Sequence, residues 1–317
     1  MVKRASIIVL FFLLSFFFFQ IYLSTGEGDE TVFQIERGEG FLQIAENLKE
    51  KGLVGSSYAF SAYIILTGKR GELKAGSYLL SPQMSVSRIA EKIVKGKTHQ
   101  KKLTIIEGWN LNHIAEYLQE EGIGSKEEFY RLAGKPPHFE EPAKPGSMSD
   151  NGTLEGYLFP DTYYVSFHAD MEEVIGMMMD NFEKRATEEW SEEVVTIASL
   201  IEKEVFLVED KELVSGIIRR RMELGMPLQI DATITYLTGK RSTRVSIEET
   251  RINSPYNTYR YTGLPEGPIA NPGLSSIEAA LSPKDSEYLY YLSKPTGETV
   301  FSKTLVEHNI AKNKYLR

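Results

Sequence analysis

The chain has no cysteine among its 317 residues. Disulfides, thiolate nucleophiles and cysteine-based metal sites are therefore excluded. Histidine is scarce as well. The five (His99, His113, His138, His168 and His308) lie far apart, without the spacing that metal ligation from one element requires. There is no excess of basic residues: 36 Lys and Arg face 44 Asp and Glu, for a net charge of −8. A nucleic-acid binder would show a basic face, so no nucleic-acid partner is expected. The sequence also lacks a G-x-S-x-G elbow and a phosphate-cradling glycine loop. Arg219-Arg220-Arg221 reads as a solvated helix face. What remains is carboxylate chemistry, with neither metal nor cofactor expected.

Uninterrupted apolar sequence is confined to one place. Lys3 and Arg4 precede Ala5–Ser24, a run without charge whose length suits a bilayer span of roughly 20 residues. Glu27, Asp29 and Glu30 follow it, which places the start in the cytoplasm and the rest outside. A cleaved signal peptide would have a shorter core and a small-x-small site, and Ile21–Gly26 is a poor one. The expectation is a retained single-pass anchor in the cytoplasmic membrane, residues 1–26.

Beyond it, a unit recurs. Ile44-Ala45-Glu46, Ile89-Ala90-Glu91 and Ile114-Ala115-Glu116 each open a short amphipathic helix closed by a glycine (Gly52, Gly96, Gly122). Strand-like runs lie between them at Thr31–Ile35, Gly76–Leu80 and Lys102–Ile106. Residues Gly134–Gly152, rich in Pro, Gly and Ser, read as a loop. Helices are then expected at Met171–Glu188, Ser191–Val208, Lys211–Leu224 and Ser275–Leu281. Met226–Pro272 reads as irregular, and Tyr288–Phe301 as a hairpin. The fold class is α+β, with a small module at residues 27–100 and a larger domain at 101–317.

Ser191–Val208 carries the sharpest chemical signal. Val194, Ile197, Ala198, Ile201 and Val205 form one apolar stripe, with Lys203 opposite it. Glu202 and Glu204 stand at the two edges of that stripe. A carboxylate held there loses hydration, its pKa rises, and it can act as a general acid near neutral pH. In Glu155–Tyr163, Glu155 and Asp161 sit among aromatics including Tyr157, a composition that suits sugar binding as well as a core turn. Strand alternation through Leu228–Thr233 would aim Gln229, Asp231 and Thr233 to one side, although Asp231 could equally cap the next segment. The loop holding Tyr256, Asn257, Thr258, Tyr259 and Asn271 offers neutral hydrogen-bonding groups that fit an uncharged polymer such as glycan.

Taken in order, the anchor, the N-terminal module, Glu155–Tyr163, Ala198–Glu204, Leu228–Thr233, Tyr256–Tyr259, Gly263-Leu264-Pro265 and Asn271-Pro272-Gly273 resemble the YceG-like endolytic murein transglycosylases. Ala232 departs from the pattern where the family often has Pro, and Arg220 where it often has Asn. The resemblance implies a LysM-like N-terminal module that holds glycan and a catalytic domain that cuts the β-1,4 bond between N-acetylmuramic acid and N-acetylglucosamine. In such enzymes one Glu protonates the leaving oxygen and then takes the proton of the muramic C6 hydroxyl, leaving a 1,6-anhydro end. A penicillin-binding protein partner is implied too. Glu204, flanked by Leu200, Ile201, Leu207 and Val208, is the expected acid/base, with Glu202 second and expected to orient the site or pair with a base. Two other readings stand beside this one. One is a muramidase using Asp231 or Asp161 as a second carboxylate; the other is a non-catalytic peptidoglycan-binding scaffold.

Overall fold

The computed structural model describes residues 21–22, 26–136, 152–240 and 244–316. It is a mixed α+β chain that divides into two compact units. The first comprises residues through Lys102 together with Tyr164–His168; the second comprises Leu103–Tyr163 and Ala169–Arg317.

In the first unit β1 (Thr31–Ile35) pairs antiparallel with β2 (Gly76–Leu80), and Phe33 lies opposite Tyr78 in the core. Between the two strands run α1 (Phe41–Glu50) and α2 (Ser57–Leu66). After β2 comes α3 (Val86–Lys95), whose start is capped by the Ser85 hydroxyl, an acceptor for the Arg88 N–H at 3.3 Å. Gly96 ends α3 at φ +66°, a left-handed cap that a β-carbon would strain. The apolar stripes of α1 and α3 close over the sheet through Ile44, Leu48, Ile89 and Ile93. Of the elements in this unit, α2 was not foreseen, because it is apolar on all sides and shows no helical periodicity.

Two strands, β3 (Gln100–Thr104) and β4 (Thr162–Ser166), pair with each other, and each begins in one unit and ends in the other. β3 starts two residues earlier than the sequence suggested. The second unit adds α4 (Leu111–Glu120), α5 (Lys126–Ala133), α6 (Met171–Arg185), α7 (Glu192–Glu204), α8 (Val208–Glu223), α9 (Asp231–Thr238), α10 (Leu274–Leu281), the hairpin β5 (Tyr290–Ser293) and β6 (Thr299–Ser302), and α11 (Leu305–Tyr315). Its core is built on α7, whose Val194, Ile197, Ala198 and Ile201 are buried together with Val205, the residue just past its end. The hairpin forms where expected, with Tyr290 opposite Ser302.

One stretch departs from the sequence reading. Residues 226–272 are not wholly irregular, and Gln229–Thr233 is not a strand, because α9 begins at Asp231. The hydroxyl of Thr233 bonds the Ile230 carbonyl at 2.7 Å and so closes the first turn, a local choice that alternation does not register. Among the described residues no helix is long and apolar enough to cross a membrane. Apart from Ile21 and Tyr22, which are helical, Ala5–Ser24 lies outside the described residues, as does most of the loop predicted at 134–152.

Candidate active site

The helix α7 starts at Ser191, whose hydroxyl accepts the Val194 N–H at 3.3 Å, and stops at Glu204. Val205 turns extended (φ −135°, ψ 137°), so Glu204 is the last helical residue and its carbonyl is taken by the Ser293 hydroxyl at 2.9 Å. A carboxylate at this end meets the negative pole of the helix dipole, which disfavours its charge. Glu204 is only half-buried by surface, yet protein packs densely round its carboxyl, and that burial, joined by the Asp231 charge, pushes its pKa up to about 7. Two donors resist the shift: the Tyr291 hydroxyl and the Ala232 N–H in the first turn of α9.

Asp231 is exposed and takes a short hydrogen bond from the Tyr259 hydroxyl. Tyr259 in turn feels the charges of Glu204 and Arg221, so Glu204, Asp231, Tyr259, Tyr291 and Arg221 make one electrostatic cluster. Gln229 joins it through Arg221, whose guanidinium reaches the Gln229 side-chain oxygen at 3.4 Å and the Leu228 carbonyl at 3.0 Å. Gln229 itself adopts φ +53°, the one non-glycine in the left-handed region among the described residues. Its N–H is pinned to the Thr258 carbonyl at 3.0 Å, which sets where α9 begins.

Glu202, two residues away, lives differently. Its Oε2 accepts from the Ser276 hydroxyl (2.6 Å), the Gly273 N–H (3.2 Å) and the Lys211 ammonium (3.3 Å). Only 4% of the Lys211 side chain and 11% of that of Glu202 are exposed. Lys211 also donates to Ser275 at 2.9 Å, so the pair fastens the start of α10 to α7 and α8. Glu107 is close by and its pKa is raised, first by burial and then by the Glu202 charge. Lys203, which periodicity places opposite the apolar stripe, is exposed overall, but its ammonium donates to the Gly108 carbonyl at 3.1 Å.

The remaining candidates fall into separate groups. Glu155 is fully buried; both its oxygens accept the Leu111 N–H at the start of α4, and Asn271 donates to it at 3.2 Å. Burial raises its pKa to about 8, and the Tyr236 hydroxyl is near enough to act on it without closing a regular hydrogen bond. Tyr157 is buried edge-on against Phe182. Asp161 is bound by Arg185 at 3.0 Å, Asn181 at 3.1 Å and the Thr162 N–H at 2.7 Å, and its pKa is lowered, chiefly by the Thr162 bond. These partners include none of those round Glu204.

The neutral groups of the long loop point inward. Asn257 ties the Thr250 and Ile252 carbonyls (3.1 and 2.7 Å) to the Tyr259 N–H (3.0 Å), and Thr258 bonds the Ile230 N–H at 3.0 Å. Asn271 links the Trp109 carbonyl (3.0 Å) to the Leu158 N–H (2.9 Å), and Tyr256 packs on Tyr236. In this conformation these groups are taken by backbone and neighbouring side chains, whereas Gln229 and Asp231 are exposed and Tyr259 is partly so. Sequence reasoning missed Tyr291 and Arg221. The first carried a signal, since a tyrosine in an apolar strand needs a partner for its hydroxyl. Arg221 was masked by its basic neighbours; it is buried, while Arg220 is exposed and pairs with Glu223.

An acid at a helix end, raised toward neutrality and faced by the start of a second helix, defines a carboxylate-centred α+β site. The chain belongs to the YceG-like family, whose model matches residues 33–314. It is similar to a protein of Bacillus subtilis (strain 168) named endolytic murein transglycosylase, 36% identical over 302 residues that cover 89% of this chain and 84% of that one. A protein of the same name from Streptococcus pneumoniae serotype 2 is 32% identical over 311 residues, which cover 87% of this chain and 56% of that longer protein. The crystal structure of a yceG-like protein from Listeria monocytogenes matches 90% of this chain and all of its own at a TM-score of 0.58 and 31% identity.

Proposed function

We propose that the chain is an endolytic peptidoglycan lytic transglycosylase with Glu204 as its single acid/base. The observation that carries this reading is the environment of Glu204: an acid held near pKa 7 on a residue that is only half-buried. Near neutral pH it exists in both forms, as the reaction requires. Protonated Glu204 gives its proton to the glycosidic oxygen between N-acetylmuramic acid and N-acetylglucosamine. The resulting carboxylate then removes the proton of the muramic C6 hydroxyl, whose oxygen closes on C1 and leaves a 1,6-anhydro end. The nucleophile belongs to the substrate, so no second carboxylate has to attack. Tyr291 and the Ala232 N–H hold the carboxylate in place and temper its basicity. Gln229, Asp231 and Tyr259 lie at the surface to bind sugar hydroxyls, and the inward-facing residues, Glu155 included, hold the loops that present them.

Ala5–Ser24 would anchor the enzyme in the cytoplasmic membrane with its two units outside, where glycan strands are made, beside a penicillin-binding protein. The β1–α1–α2–β2 order supports a LysM-like role for the first unit. A cavity of about 550 Å³ edged by Gln34, Arg37, Glu39, Gln43 and Asn47 offers a polar surface for glycan there.

The test is digestion of purified sacculi by the wild type and by Glu204→Gln. The wild type should release anhydro-ended muropeptides, and the variant should lose about 10²–10⁴-fold in rate, the usual worth of a general acid. Undiminished activity in the variant removes Glu204 from the chemistry. One observation favours a second reading: Asp231 is close enough to Glu204 to raise its pKa, as a muramidase pair would be. Products one water heavier than the anhydro forms, lost in Asp231→Asn, would establish hydrolysis instead.

A further inference from the structure

The helix α2 breaks the usual rule of surface helices. Its sequence, SYAFSAYIIL, holds no charge, and it buries Ser57, Ala59, Phe60 and Ile64 in the first unit. The opposite side should then be polar. Instead Tyr58, Ala62, Ile65 and Leu66 fall within an arc of about 100° on that side, with Tyr58 83% and Leu66 75% exposed. The ring of Tyr58 and the branched ends of Ile65 and Leu66 are thus presented outward together, which singly exposed apolar residues are not.

Three neighbouring features indicate what covers this face. Tyr22, near the end of the apolar run Ala5–Ser24, lies close enough to Tyr63 of α2 to act on its hydroxyl. The chain that would leave the bilayer therefore emerges beside α2. Lys69 and Arg70 follow α2 directly, each resting over a ring, Lys69 on Tyr63 and Arg70 on Phe41. Tyrosines at a water–lipid boundary with basic residues beside them are the composition of a membrane-interface contact.

We infer that the outer face of α2 lies on the lipid surface, with Tyr58, Ile65 and Leu66 dipping into the headgroup region and Lys69 and Arg70 meeting anionic lipid. The contact rests on the membrane-anchor part of the proposed function. It would hold the first unit close against the bilayer at a fixed attitude, in place of a tether that swings.

The cysteine-free sequence makes the test direct. Single cysteines at Leu66, Tyr58, Glu46 and Phe12 of the full chain carry an environment-sensitive fluorophore, and each protein is reconstituted in vesicles containing phosphatidylglycerol. Leu66→Cys and Tyr58→Cys should be quenched several-fold more by a nitroxide placed high on the acyl chain than Glu46→Cys, an exposed position on α1, and should be shielded from aqueous iodide. Phe12→Cys should respond to a nitroxide deep in the bilayer. If Phe12 responds while Leu66 and Tyr58 stay open to iodide and indifferent to lipid quenchers, the anchor stands and the α2 contact is wrong. Shielding from both quenchers would show a protein cover and also overturn it. A silent Phe12 removes the anchor itself.

Discussion

Glu202 and Glu204 are two residues apart on one helix, and the protein treats them in opposite ways. Glu202 has one oxygen filled by a hydroxyl, a backbone N–H and a buried ammonium. Glu204 has a phenol and one N–H, the unfavourable end of its own helix, and a second carboxylate nearby. The first arrangement spends a carboxylate on joining α7, α8 and α10. The second leaves a carboxylate under-supplied with partners, and a proton becomes the partner it lacks. Sequence position alone does not separate a strut from a candidate acid; the count and kind of donors does.

The comparison can be broken most directly by exchanging the two losses. Glu204→Gln should cut anhydro-product formation by about 10²–10⁴-fold and leave the fold intact. It should also stabilise the protein selectively at higher pH. The pKa of Glu204 rises from an ordinary 4.5 to about 7 in the folded state, so the folded chain binds this proton more tightly, and the stability this brings below that window is lost as pH rises through it. The advantage of Gln over Glu should thus grow between pH 4.5 and 7 toward an upper bound of ~3 kcal/mol, readable in urea midpoints at pH 5 and pH 8. A pH-independent difference would show that the carboxyl is not starved of partners.

Lys211→Ala tests the other side. It leaves Glu202 buried without its counter-charge, for an expected loss of about 3–5 kcal/mol by denaturant unfolding. A neutral outcome would make Glu202 as free as Glu204 and dissolve the contrast. Smaller effects sharpen it. Tyr291→Phe removes a donor that favours the charged form of Glu204, so the alkaline limb of the activity profile, set near pH 7 by the acid that must be protonated, should move upward. A limb that stays put would place the phenol outside the site. Ala232→Pro removes the other donor at a first-turn position where proline is tolerated. It should move the limb in the same direction, with little change in the thermal midpoint.

Much of this was legible in the residues because it is local. The stripe through Val194–Val205, the glycine after α3 and the turn between β5 and β6 are written in spacing and backbone freedom, and each formed. The start of α9 was not, because Gln229 takes a backbone conformation no glutamine prefers and is held there by Thr258, far along the chain. Asn257, Thr258 and Asn271 read as hydroxyl seekers for a glycan, but a buried backbone makes the same demands, and here it takes them first. Pairing Lys211 with Glu202 and aiming Tyr291 at Glu204 needed three dimensions.

The positive φ of Gln229 has a consequence for how this enzyme can drift. Left-handed backbone costs a non-glycine residue about 1–2 kcal/mol, so replacement by glycine is a mutation that heat resistance alone would reward. Glycine there would keep the N–H that bonds the Thr258 carbonyl but has no side-chain amide to grip Arg221, so the guanidinium in the cluster round the proposed acid would lose a partner. A population selected only for survival at high temperature should therefore accumulate glycine at this position and pay in turnover, whereas one selected for wall growth should keep the cramped glutamine.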